Sequence, residues 1–131
     1  MTQHVATAAA WKTEPLPDCH VTLALDFHLD AAEAACAGKG LIPLDMEDKW
    51  FLYYAGQTLH LHRSWTGFCI AQVHFVTEGD GLRATCAWVN RDPGQYASTD
   101  DAADIALIER MVRSMGASQR YLAERLAWSA S

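Results

Sequence analysis

Between Lys49 and Asn90 four strand-like runs follow one another with only short breaks, and this constrains the fold more than any other feature of the chain. The runs are KWFLYY, QTLHLHR, FCIAQVHFV and LRATCAWVN, each rich in aromatic and β-branched residues. The breaks are Ala55-Gly56, Ser64 to Gly67, and Glu78-Gly79-Asp80-Gly81. A parallel pair needs a crossover of a dozen or more residues, so strands joined this tightly pair antiparallel. An antiparallel meander over 49–90 is expected, and a sheet with one apolar face needs helices to cover it.

The flanks supply those helices. Residues 1–18 hold Pro15, Pro17 and Asp18, show no periodicity, and read as a loose arm. VTLALDF (21–27) fits either a short strand or the lead-in to a helix, which is predicted over 29–38 from its alanines and the stop signals Gly38 and Gly40. After the loop RDPGQYAS, Ser98 or Thr99 followed by Asp100 and Asp101 reads as an N-cap with an acidic first turn. The C-terminal helical segment, 99–128, buries a stripe of Ile105, Ile108, Val112 and Met115. Gly116 and Ser118 kink or restart it, and Tyr121, Leu122 and Leu126 continue the buried face. The fold class is α+β: about four antiparallel strands packed against N-terminal and C-terminal helices. At 131 residues the chain is one domain, 1–131.

Charge and composition exclude several function classes. No apolar run approaches the roughly 20 residues of a membrane helix. The opening MTQHVATAAAWKTEP lacks a basic n-region and an apolar core, so no secretory signal is expected and the cytoplasm is the expected location. A net charge of −6 disfavours nucleic acid, which needs clustered cations. Arg110, Arg113, Arg120 and Arg125 alternate with Glu109 and Glu124 as a solvated face does. Cys19, Cys36, Cys69 and Cys86 form no Cys-x-x-Cys pair, which argues against a zinc knuckle. They are expected as free, mostly buried thiols, and no metal or cofactor is expected.

The stretch LHLHRSWTGFC, 59–69, concentrates polar groups at one hairpin tip. If the tip is Ser64 to Gly67, with Arg63 facing Phe68, a row crosses the sheet as Trp50, His62, Cys69 and Asn90, with His60 on the same face. Phe51, Tyr53, Leu59, Leu61, Ile70 and Val89 then form the opposite, helix-covered face. His60 and His62 stand about 7 Å apart, a spacing zinc sites use. The ordinary explanation, hydrogen-bonded half-buried imidazoles, is preferred. Cys69 could be a nucleophile with His62 as base, but a cysteine between Phe68 and Ile70 is more often an inert buried thiol. Trp50 and Trp88 read first as core residues. Ser64 and Thr66 can serve the turn itself. A turn does not need Trp65, however, and Arg63 offers a planar fork suited to carboxylate or phosphate. The ligand-binding candidates are therefore Trp50, His60, His62, Arg63, Ser64, Trp65, Thr66 and Asn90.

Residues 46–75, MEDKWFLYYAGQTLHLHRSWTGFCIAQVHF, together with Gly40 and Pro43, resemble a family of small bacterial proteins of unknown function. In that family a Trp-Phe strand is followed by His-Arg-Ser-Trp-Thr-Gly and a Cys-Ile pair. Some members carry a label connecting them with an 8-oxoguanine DNA glycosylase fusion. Such glycosylases share a helix-hairpin-helix and a catalytic lysine with a later aspartate, and nothing in this chain matches them. Ala71 and Gln72 stand where an aromatic or acidic residue is expected in the family.

Three functions are open at this point. The leading one is a domain that binds a small polar or anionic molecule, nucleotide-like in character, at the sheet end bearing the HRSWTG loop. The second is a hydrolase or transferase with His62 as general base and Arg63 holding a phosphate or carboxylate. The third is a protein-interaction module anchored by Trp65.

Overall fold

The turn after Ala55 sets the register of the whole meander. Gly56 and Gln57 both have positive φ, 59° and 60°, so they are the two central residues of a tight hairpin whose twist matches its strands. Ala55 then pairs with Thr58. In the computed structural model, which describes residues 5–44 and 48–130 with side chains through residue 127, this hairpin joins β2 (Trp50–Ala55) and β3 (Thr58–Arg63). β4 (Cys69–Glu78) and β5 (Gly81–Asn90) complete the meander.

A fifth strand, β1 (His20–Leu29), pairs with β5, so the order is β1-β5-β4-β3-β2 with every neighbour antiparallel. The fold is α+β, with five strands rather than about four. The segment 21–27 is thus a strand. Leu23, Leu25, Phe27 and Leu29 are buried while the residues between them are exposed, the period of a half-covered sheet. Asp30 ends it by capping α1 (Ala31–Lys39): its side chain accepts from the Glu33 amide at 2.8 Å, and Glu33 accepts from the Asp30 amide at 3.0 Å. The helix predicted from 29 therefore starts at 31.

Helix α2 (Asp101–Arg113), capped by Asp100, packs on β1. Helix α3 (Met115–Ala130) follows after Ser114. α1 lies against β1, β2, β5 and α3. All three helices belong to one side of the sheet, where Leu52, Leu59, Leu61, Val73, Phe75 and Val89 meet Ile108, Val112 and Met115. The stripe predicted on α2 is thus core, but the continuation is not: Tyr121 is 60% and Leu126 48% exposed.

The predicted sheet row is displaced by one residue on β2. Trp50 pairs with Arg63, and Phe51 with His62. One residue changes the face, so Phe51 and Tyr53 leave the helix-covered side expected for them. They join His60 and His62, with Tyr53 stacked on His60 at 4.4 Å and on His62 at 5.7 Å. His62 does lie opposite Cys69, and Ile70, which falls at the bulge between the Leu61 and His62 pairings, is buried as expected but outside the main helix-side cluster. Phe51 is nonetheless fully buried, because the N-terminal arm covers this end of the outer face. Trp11 sits 6.5 Å from the Phe51 ring and donates to the Ser64 carbonyl at 2.8 Å. The Glu14 amide donates to Gly67 at 2.8 Å and the Ala6 amide to Lys39 at 2.9 Å. Over its described part the arm is docked rather than loose.

Candidate functional site

The eight candidate residues separate into four places. His60 and His62 lie on the outer face. Burial holds both imidazoles below the usual histidine range, His60 down to about 4 with the neighbouring His62 and His74 adding to it. The Nδ1 of His62 donates to the Gly67 carbonyl at 2.8 Å, which leaves the buried Nε2 as a lone pair with no hydrogen-bond partner among the described residues. Cys69, beside it, has its thiol pushed up to about 12 by burial, which disfavours the thiolate a nucleophile needs.

Asn90 is fully buried and works as a backbone clamp. It donates to the Cys69 carbonyl at 2.8 Å and to Gln95 at 2.9 Å, and accepts from the Asp92 amide at 2.8 Å. Trp65 and Thr66 stand exposed on the tip, Thr66 accepting from the Phe68 amide of its own turn. Trp50, Arg63 and Ser64 make the fourth group. The Arg63 guanidinium lies 5.0 Å over the Trp50 ring. Buried Ser64 donates its hydroxyl to the Asp48 carbonyl at 2.6 Å and its amide to Lys49 at 2.9 Å. The tip thereby fixes the chain entering β2. The other tryptophan read as core, Trp88, is 40% exposed on the outer face against His20 and His74. Of the cysteines, Cys69 is buried, Cys36 and Cys86 are half-buried and Cys19 is exposed; all are free.

Trp50 opens onto a cleft that sequence reasoning did not find. It runs along α3 and has two adjoining lobes that share Leu41 and Leu122 as a common wall. The larger, about 640 Å³, lies among Ile42, Leu44, Ala123 and Leu126, with Lys39 and Arg120 at its edge. The smaller, about 320 Å³, is bounded by Asp48, Lys49, Trp50, Ser118 and Tyr121. These volumes fall in the range of small-molecule sites.

The walls are held by backbone bonds. Leu41 and Leu52 exchange amide-to-carbonyl bonds of 2.8 and 2.9 Å, which lays the Gly40–Leu44 stretch along β2. Gln119 donates to the Cys36 and Gly40 carbonyls, both at 2.7 Å, tying α3 to the end of α1. Arg125 bridges Asp48 at 2.8 Å and lies 5.2 Å over the Tyr121 ring. One signal for this site was present in the sequence: GLIPL, 40–44, is an apolar run outside every predicted element. Among the described residues no group of three or more His, Cys, Asp or Glu converges as metal ligands do, and no helix is long and apolar enough to cross a membrane. Compared with protein-family models, with curated proteins and with solved structures, the chain matches none.

Proposed function

We propose that this chain is a binding protein for a small organic anion with an apolar body, seated in the cleft along α3. One observation carries the reading. Leu44 and Leu126, two of the large apolar side chains left exposed, line the larger lobe together with Lys39 and Arg120, and exposed Tyr121 lines the smaller lobe beside it. Neither cation has an ion-pair partner among the described residues, in a chain with 16 acidic and 10 basic residues. Apolar surface beside unpaired positive charge suits a carboxylate or phosphate on a hydrocarbon frame. Binding is favoured over acid–base catalysis because no histidine lines either lobe among the described residues, and His62 faces the other side of the sheet.

Calorimetry with decanoate and decylammonium tests it. Decanoate is expected to bind and raise the melting temperature, and the amine of equal length is not. The double variant Lys39→Glu, Arg120→Glu should weaken decanoate binding at least about tenfold, the order of two charge-assisted contacts. Equal binding of amine and acid, or an unchanged affinity in the double variant, would remove the reading.

A further inference from the structure

The smaller lobe has a property that the binding of an anion does not require: both of its aromatic rings are pinned. An exposed tyrosine on a helix surface ordinarily samples several rotamers, and holding it costs entropy. Tyr121 is 60% exposed, yet the Arg125 guanidinium lies 5.2 Å over its ring, and Arg125 is itself fixed by Asp48 at 2.8 Å. On β2, Arg63 lies 5.0 Å over Trp50, the other ring of the lining. Asp48 and Lys49, in the same lining, are held through their carbonyls by Ser64. Two rings that line one space of about 320 Å³, each with a guanidinium on it, form a preorganised pair of flat walls.

We infer that the smaller lobe is a ring subsite, so that the ligand of this protein carries a planar aromatic group joined to the apolar, anionic part held in the larger lobe. The inference rests on the anion-binding reading above and names the class of ligand within it. Trp50 and Tyr121 supply flat apolar surface, and aromatic pairs gain from geometry beyond the area they bury. Leu41 and Leu122 line both lobes, so the two lie side by side with only these side chains in common, within reach of one molecule. The hydroxyl of Ser118 and the ammonium of Lys49 lie on the same wall set and suit a ring bearing polar substituents.

Decanoate and ω-phenyloctanoate, an alkyl acid and its ring-ended counterpart, separate the possibilities. The ring-ended acid is expected to bind about tenfold more tightly, with its phenyl protons shifted upfield and showing nuclear Overhauser contacts to Trp50 and Tyr121. Tyr121→Leu, a change on an exposed helix face, should reduce the preference to under about twofold, within the span of one aromatic pair. Equal affinity for the two acids, or phenyl contacts to other tryptophans instead, overturns the ring subsite and leaves the anion cleft standing. Binding of neither acid overturns both.

Discussion

Ser64, a candidate ligand contact in the sequence, also carries a structural hydrogen bond in the fold. In the sequence its hydroxyl is one of several polar groups at a tip. In the fold it is buried and bonded to the carbonyl of Asp48, sixteen positions away. That partner is invisible to local pattern, because nothing between 48 and 64 says that the chain entering β2 returns past the tip. Ser64→Ala removes a part-buried hydrogen bond to the Asp48 carbonyl, which costs about 0.5–1.5 kcal/mol, and loosens the backbone leading into Trp50. Urea unfolding should show the loss, and affinity for the ring-ended acid should fall with it. A variant destabilised by that amount whose ligand affinity is untouched would separate Ser64 from the cleft. Asn90 and His62 follow the same pattern: His62 spends Nδ1 on the Gly67 carbonyl of its own hairpin tip, and Asn90 donates across to the Cys69 carbonyl at the start of β4.

At the scale of elements, the meander, its antiparallel pairing and the helix stripe on α2 were legible because each is a local period. The register was not. A hairpin turn with two positive-φ residues usually advertises itself as Asn-Gly or Gly-Gly, whereas here Gln57 takes the second position, so the sequence points to Ala55-Gly56. The bulges at Ile70 and Thr85 leave no such signature either. Strand β1 was ambiguous because its alternation runs straight into an alanine-rich helix, and only the Asp30 cap separates them. Two glycines test this geometry. Gly56 has φ 59° with nothing within 4 Å of a would-be Cβ, so Gly56→Ala should cost only the conformational penalty, about 1–2 kcal/mol. Gly40 has φ 70° and a would-be Cβ 2.3 Å from the Leu52 carbonyl. Gly40→Ala should therefore cost clearly more and loosen the Leu41–Leu52 bridge that carries the cleft wall. Comparable losses in the two variants, by chemical denaturation, would mean that the Gly40–Leu44 stretch is not held against β2.

For the whole molecule, the two sides of the sheet predict different responses to acid. His60, His62 and His74 are held below the ordinary value of 6.5, burial being the first cause for each. An imidazole whose folded value lies below its unfolded value binds its proton more readily when the chain unfolds. The stability it contributes is thus complete above about pH 6.5 and drains away as pH falls toward the folded value, about 4 for His60. The opposite side carries the cleft, and no histidine lines it among the described residues. Between pH 7.5 and 5.5 the urea midpoint should therefore fall while the affinity for a carboxylate that stays ionised holds steady. Replacing His60 by Gln should flatten the first curve over that window and leave the second unchanged. If instead affinity falls in parallel with stability, and His60→Gln restores both, the imidazole face and the ligand site are one unit, and the partition of this fold into a binding side and a histidine side is wrong.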